Sequence, residues 1–256
     1  MKWPEWLMLV RHTVSKYNFL KEEKKRDPLY ERFLASYEGD PLSAGTRELA
    51  LEVSGKYSLG TGDYNTPVAQ EFLHQAVETG RRLAEEFETP DIVLVSPYDR
   101  TQETLDAITQ GWPVLRKVRT KKDERIREQN HGLATLYNDW RVFFTLHPEQ
   151  RALYEQEGEY WYCWPQGEDV PRVRDRNRFL IDMLIREYAG KRVMLVTHHL
   201  NILALRANLE NWEADEFLRV NEDEKPKNCG VTLYRGAPDE GRRGRLKLDY
   251  YNRIFY

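Results

Sequence analysis

Apolar runs and amphipathic stretches alternate along most of the chain. Three runs, at residues 7–10, 92–95 and 193–197, are short and bounded by polar residues, which predicts buried strands. Residues 68–87, 99–109, 169–188 and 200–209 carry apolar side chains at helical spacing and predict four helices. Asp99 is expected to cap the second of them, and residues 114–118 are expected to form a further short strand.

Strands that alternate with helices predict a largely parallel sheet covered on both faces, so the expected fold class is a three-layer α/β/α architecture. Residues 231–234 and 246–250 predict a hairpin at the edge of this sheet. Residues 1–256 are expected to form one domain. Within it, residues 19–65 interrupt the alternation with two expected helices, 29–37 and 47–57, and a glycine-containing loop at 60–63. This insertion is expected to be a helical lid, and a surface excursion without a role is the alternative.

Histidine and arginine side chains occur where the predicted strands end. Arg11 and His12 follow the first run, Arg100 comes shortly after the second, and His198 and His199 follow the third. Ligands of open α/β sheets bind at the carboxyl ends of the strands. We therefore expect these side chains to meet at one site.

Together these segments resemble the histidine phosphatase superfamily, also called the phosphoglycerate mutase-like family. The chain has Arg-His at 11–12, Ser-Pro-x-x-Arg at 96–100, an acidic residue, Glu128, four residues before a glycine, and His198 at the end of a second strand. Ser15 and Asn18 match the Ser/Thr and Asn of the family's first motif, while residues 66–83, 165–168 and Arg176 are similar to later ones. The resemblance covers most of the chain except roughly residues 19–65.

The resemblance implies a phosphoglycerate mutase-like fold and chemistry through a phosphohistidine. His12 is the implied nucleophile, and Glu128 is the implied proton donor to the leaving oxygen, with Glu124 as the alternative. A phosphoryl group in transfer carries negative charge on its equatorial oxygens and needs positive donors around it. The expected phosphate ligands are Arg11, Ser15, Asn18, Arg100, His198 and His199. One ring nitrogen of His12 is expected to bond a backbone carbonyl, which would fix the tautomer.

Several positions depart from the family pattern. Thr13 and His199 each stand where glycine usually follows a histidine, Phe72 replaces a helix glycine, and Asp169 replaces a serine. No charged catalytic group is lost, but Thr13 and His199 are expected to crowd the phosphate pocket. The chain is therefore interpreted as an active but diverged member.

Metal binding is not expected, although His198 and His199 are adjacent. Neighbouring residues at a strand end point in different directions, and no carboxylate stands at a helical ligand spacing from them. The arginines can neutralise the phosphate in place of a divalent ion, so no cofactor is expected. The aromatic segment 160–164 allows two interpretations, pocket lining or packing against the sheet.

Composition narrows the set of partners. Of the 256 residues, 40% are hydrophobic and 32% charged, and the formal net charge is only −3, so neither nucleic acid nor a membrane is an expected partner. No apolar run resembles a membrane span, and the N-terminal stretch does not resemble a cleavable signal, so we expect a cytoplasmic protein. The two cysteines show no metal-ligand spacing, and we expect their thiols to be reduced. The expected partner is a small phosphomonoester, with a homodimer left open.

Three functions fit these residues. The first is a metal-independent phosphomonoester hydrolase. The second, a mutase, would use the same groups but return the phosphate to a bound acceptor; about seventy residues separate Glu128 from His198, which is short for the family's mutases and favours hydrolysis. The third is a pseudoenzyme that binds phosphorylated ligands or partners without turnover.

Overall fold

The computed structural model describes residues 2–241 and 244–256, and within them a mixed sheet of six strands forms the centre. The strands are β1 Trp6–Arg11, β2 Ile92–Val95, β3 Arg119–Lys122, β4 Arg192–Thr197, β5 Val231–Ala237 and β6 Arg245–Arg253. Their order across the sheet is β3-β2-β4-β1-β5-β6. The first four are parallel, and β5 and β6 add an antiparallel hairpin at one edge, as predicted.

Helices surround this sheet. The α-helices of the described residues are α1 Lys16–Lys24, α2 Pro28–Gly39, α3 Ala44–Lys56, α4 Leu73–Glu86, α5 Asp99–Gly111, α6 Trp140–Leu146, α7 Pro148–Glu157, α8 Val170–Glu187, α9 His199–Glu210 and α10 Ala214–Asp223. Short 3-10 helices occur at Gln70–Phe72, Pro113–Lys117, Glu124–Ile126 and Gly132–Tyr137. No helix of the described residues is both long enough and apolar enough to cross a membrane.

Alternation along the central strands produces the three layers. Met8 and Val10 of β1 lie in a core with side chains of α4 and α5, whereas Leu7 and Leu9 lie in a second core with α8 and α9. Successive side chains of a strand point to opposite faces, so a wholly apolar β1 can contact helices on both sides. The predicted α/β/α architecture with a mostly parallel sheet is confirmed.

Two local predictions were wrong. Residues 114–118 lie largely in a 3-10 helix that starts at Pro113, and the strand follows it as β3, whose four residues are all exposed. A polar edge strand has no apolar face, so it leaves no alternating pattern to detect. Asp99 is not a cap: it is the first residue of α5, after Tyr98 at the N-cap position.

The insertion contains the two expected helices, as α2 and α3, and the chain enters it through α1, which was not predicted. A second helical segment, residues 129–164 with α6 and α7, was also missed. We call residues 16–66 the first cover and residues 129–164 the second cover. The two covers contact each other in an apolar cluster, where Tyr30, Phe33 and Val53 pack on Val142.

Candidate active site

The carboxyl edge of the sheet brings two histidines together. Strands β1 and β4 are parallel neighbours, and His12 and His198 are the residues that immediately follow them. The backbone N–H of His12 donates to the Thr197 carbonyl at 3.0 Å, and the two imidazole centroids lie 5.2 Å apart. Both rings are buried. Pairing of adjacent strands thus fixes the distance between the two rings.

The tautomer of His12 follows from its hydrogen bond. Its Nδ1 lies 2.6 Å from the Thr13 carbonyl oxygen. A carbonyl can only accept, so Nδ1 carries the proton and Nε2 keeps a free lone pair. Burial, followed by the positive charges of Arg100 and Arg11, lowers the pKa of His12 well below its ordinary value. The ring is therefore neutral at physiological pH.

Two guanidinium groups flank this imidazole. Arg11 ends β1 and donates from Nη1 to the Pro226 carbonyl at 2.5 Å, while its buried Nε has no partner among the described residues. Arg100, in the first turn of α5, donates from Nη1 to the Asp63 carbonyl at 2.6 Å and forms an ion pair with its carboxylate at 2.9 Å. Asp63 belongs to the first cover. That cover therefore orients one of the predicted phosphate ligands.

His198 lies behind His12 rather than in the open cavity. Its Nε2 is 2.7 Å from the hydroxyl of Ser96, the residue after β2, and the Tyr98 ring packs against it at 5.0 Å. Its Nδ1 is buried and has no partner among the described residues. Burial and then Arg100 lower the pKa of His198 well below its ordinary value. The ring is neutral and can donate one hydrogen bond.

The structure separates the two candidate acids. Glu124 is exposed in a 3-10 helix and pairs with Arg127 at 3.8 Å. Glu128 lines the cavity, and its Oε1 accepts from the backbone N–H groups of Leu200 and Gln129, each at 3.0 Å. Burial raises the pKa of Glu128 in spite of the opposing charges of Arg100 and Arg11. Of the two candidate acids, Glu128 is the one that lines the cavity, and its pKa is raised above the ordinary value.

A loop behind Glu128 fixes its backbone. Arg176 donates to the Glu128 carbonyl at 2.9 Å and pairs with Glu168 at 3.1 Å. A side chain at Gly132, which has φ +49°, would place its Cβ 2.0 Å from the Pro165 carbonyl oxygen. The glycine of the acidic motif and the 165–168 segment are therefore packed directly on each other.

Three other predicted ligands reach the cavity in different ways. Ser15 and Asn18 form a capping box at the start of α1, in which the Ser15 hydroxyl accepts from the Asn18 N–H at 3.2 Å. Both side chains line the cavity, so the same contacts orient α1 across it. His199 starts α9 and lines the cavity with a buried Nε2 that has no partner among the described residues. The structure thus brings together all the predicted site residues, with His198 as the one outside the cavity surface.

Thr13 does not crowd the pocket, contrary to expectation. Its hydroxyl donates to the Phe72 carbonyl at 3.1 Å and its N–H donates to Thr104 at 3.0 Å, so the side chain is fully buried away from the cavity. Its φ is not in the left-handed region, so glycine is not required there. Phe72 itself lines the cavity and packs on Phe19 at 6.2 Å.

A cavity of about 960 Å³ lies between the sheet edge and the two covers. In the aromatic segment 160–164, each of the two interpretations holds for one residue. Trp164 lines the cavity and stacks on Phe144 at 5.7 Å, whereas Tyr162 is buried and packs in the interior. Asn228 also lines it and donates to the His12 carbonyl at 2.9 Å.

Sequence reasoning missed the second cover and two cavity lysines, Lys21 and Lys225. Neither lysine belongs to a recognisable motif, so only the fold assigns them to the site. Within residues 2–241 and 244–256, no group of three or more His, Cys, Asp or Glu side chains is arranged to hold a metal ion.

Comparison with known proteins agrees with this geometry. The family model of the histidine phosphatase superfamily (branch 1) matches residues 56–247, and the chain belongs to that superfamily. Two phosphoglycerate mutase-like proteins of Arabidopsis thaliana, AT74H and AT74, are each 26% identical, over 66% and 63% of this chain. The chain spans 64% and 54% of their respective lengths.

Solved structures share the fold at low identity. A mycobacterial glucosyl-3-phosphoglycerate phosphatase, solved with inorganic phosphate, is 18% identical with a TM-score of 0.64 over 98% of both chains. Bacillus stearothermophilus YhfR is 17% identical with a TM-score of 0.65 over 97% of both chains. At these identities the likeness concerns the fold alone.

Proposed function

We propose that the protein is a metal-independent phosphomonoester hydrolase that works through a phosphohistidine on His12. The observation that carries the proposal is the state of the His12 imidazole. Nδ1 donates to a carbonyl and the ring stays neutral, so Nε2 has a lone pair beside two guanidinium groups. A neutral nitrogen held next to bound phosphate is what nucleophilic attack on phosphorus requires.

In the first step the Nε2 lone pair forms a bond to phosphorus as the bond to the leaving oxygen breaks. Arg11 and Arg100 donate hydrogen bonds to the equatorial oxygens, where negative charge is spread. His198, next to the His12 ring, adds a donor through Nδ1, which has no partner among the described residues. The protonated Glu128 transfers its proton to the leaving oxygen. Its Oε1 is bound to backbone N–H groups, which leaves Oε2 for the substrate.

In the second step water replaces the alcohol. The Glu128 carboxylate accepts a proton from this water, whose oxygen attacks phosphorus as the bond to Nε2 breaks. Inorganic phosphate leaves and the protonated Glu128 is restored. The two arginines supply the positive charge throughout, so the proposed reaction needs no divalent ion.

The test is release of inorganic phosphate from p-nitrophenyl phosphate and a panel of sugar phosphates in excess chelator, with His12→Ala as the comparison. His74→Ala is the matched control, because His74 is exposed and outside the cavity. The hydrolase proposal expects chelator-resistant turnover that His12→Ala abolishes and His74→Ala preserves. Transfer of phosphate to an added acceptor instead of water would identify a mutase, and no turnover from the folded protein would favour a pseudoenzyme.

A further inference from the structure

Uncompensated positive charge collects at one end of the cavity. Lys21 of α1 and Lys225, both exposed to solvent, line it together with Arg11 and the half-buried imidazole of His199. Neither lysine ammonium forms an ion pair or hydrogen bond with any described residue, unlike Lys24 and Lys25 on the same helix. Burial and then Lys225 lower the pKa of Lys21, while burial, Arg11, Lys225 and Lys21 lower that of His199. The two ammonium groups therefore repel each other, and His199 stays neutral beside them.

Hydrogen bonds from the Asn252 side chain hold the backbone around Lys225 in place. Asn252 of β6 donates to the Lys225 carbonyl at 3.1 Å and accepts from the Lys227 N–H at 2.7 Å. Pro226, the next residue, accepts from Arg11. The Lys225 loop is thus tied both to the edge hairpin and to a predicted phosphate ligand.

Lys21 approaches from the opposite wall. It lies one helical turn after Asn18, whose orientation is set by the capping box with Ser15. Asn228 connects the two walls: its Nδ2 donates to the His12 carbonyl at 2.9 Å and lies 3.4 Å from Asn18 Oδ1. The segment that carries Lys225 and the helix that carries Lys21 are therefore connected beside the residue that bears the proposed nucleophile.

None of the six carboxylates that line the cavity forms an ion pair with Lys21 or Lys225, and five of them contact other groups. Those partners are Lys25 for Glu22, Arg100 for Asp63, Lys24 for Asp139, Asn221 for Glu159 and backbone N–H groups for Glu128. The remaining one, Glu23, is exposed and is paired with neither lysine.

We propose that Lys21 and Lys225 form a second anion subsite, so that the phosphomonoester accepted at His12 carries a further anionic group, either a carboxylate or a second phosphoryl group. This inference rests on the proposed function for the reacting phosphate. Two flexible ammonium groups suit either anion, because lysine acts as a point charge and does not demand the planar geometry of a guanidinium partner. An anion between them would relieve their repulsion.

The test measures binding, so that it does not depend on turnover. Propylphosphonate, carboxyethylphosphonate and propylene bisphosphonate share a three-carbon skeleton with a non-hydrolysable phosphonate, and differ in the second group. Calorimetric titration of the native protein should show at least tenfold tighter binding of one or both doubly anionic ligands than of propylphosphonate. Which ligand gains identifies the second group as a carboxylate or a phosphoryl.

Lys21→Met and Lys225→Met should each reduce this affinity ratio at least threefold while propylphosphonate binding changes less than twofold. Lys16→Met and Lys227→Met remove the same charge from exposed neighbours outside the cavity and should leave the ratio unchanged. Lys225→Arg keeps the positive charge and should retain most of the affinity ratio of the native protein. Unchanged thermal unfolding of each variant shows that the fold is intact.

Equal binding of all three ligands would overturn the subsite. So would an equal loss for all three in the lysine variants, because the lysines would then serve the reacting phosphate. The two proposals can fail separately. Phosphate release without a ligand preference would contradict only the second anion subsite, and a ligand preference without phosphate release would contradict only the hydrolase activity.

Discussion

Burial shifts the pKa values of His12 and Glu128 in opposite directions and favours the neutral form of each. A low-dielectric surrounding disfavours charge, so it lowers the pKa of the imidazole and raises the pKa of the carboxyl group. Arg100 and Arg11 reinforce the first shift and oppose the second, and burial prevails at Glu128. The cavity therefore contains a neutral imidazole with a free lone pair and a carboxyl group with a raised pKa.

Replacing Glu128 with Gln should affect substrates according to their leaving group. Gln cannot donate a carboxyl proton, so kcat for alkyl phosphates should fall about 100-fold or more, as expected for loss of a general acid. p-Nitrophenolate leaves without protonation, so the first step of that reaction should change much less. Glu124→Gln should have no effect on either substrate, and burst kinetics would separate the two steps. An equal loss for both substrates in the first step would contradict the role.

The pH dependence of kcat/KM tests the state of His12. Because its pKa is lowered, the neutral nucleophilic form persists below the ordinary imidazole pKa of about 6.5. After correction for ionisation of the substrate, kcat/KM should show no acidic limb at pH 6.5 and should decline only at lower pH. The basic limb should follow Glu128, because the acid is lost as pH rises through its raised pKa. A profile with half-maximal activity near pH 6.5 on the acidic side would contradict the assigned shift.

At the scale of elements, a buried ion pair connects the first cover to the second. Lys24 at the end of α1 lies 2.7 Å from Asp139, which also accepts from Tyr30 at 2.6 Å and caps α6. Both charged side chains are at most 4% exposed. Burial opposes ionisation of Asp139, but Lys24 and the hydrogen bonds hold its pKa below the ordinary value. The helices that cover the cavity are thus joined by a buried polar cluster centred on Asp139.

Lys24→Met should destabilise the fold by about 3–5 kcal/mol at neutral pH, because it leaves the Asp139 charge buried without its counterion. Lys25→Met removes an exposed pair and should cost less than about 1 kcal/mol. Since the folded-state pKa of Asp139 is lowered, its contribution is present above the unfolded pKa and is lost as pH falls. The difference between Asp139→Asn and the native protein in urea unfolding should therefore shrink towards pH 3. A difference independent of pH would exclude the ion pair as its source.

The elements differ in how well sequence predicts them, and burial explains the difference. Strands β1, β2 and β4 are buried on both faces, so each is an apolar run that ends next to a functional residue. Strand β3 and helix α1 have polar, largely exposed sequences and show no such signal. Arg11, His12 and His198 were predictable for the same reason, whereas Ser15, Asn18 and Glu128 were assigned through the family resemblance. Lys21 and Lys225 were not predictable, because only the fold brings α1 and the loop before β5 to the cavity.

At the scale of the whole molecule, positive charge is local in a chain whose net charge is −3. The cavity lies between the sheet edge and both covers, and its cationic groups come from β1, the first cover, α5 and the Lys225 loop. An anion bound there contacts parts of the chain that are far apart in sequence. Binding should therefore stabilise the whole fold and not one element, since a ligand that binds only the native state adds to its unfolding free energy.

Vanadate should raise the unfolding temperature more than phosphate or sulfate does at equal concentration. Vanadate accepts a fifth ligand, so Nε2 of His12 can bond to it in a geometry close to that of phosphoryl transfer, whereas a simple anion site has no such preference. At a hundredfold excess over Kd the gain is about 2.7 kcal/mol, which for a chain of this size corresponds to roughly 5 °C or more. In His12→Ala the excess of vanadate over phosphate should vanish while a phosphate effect remains, because the arginines are intact. Equal shifts for all three anions in the native protein would instead favour a site that binds phosphorylated ligands without transferring the phosphoryl group.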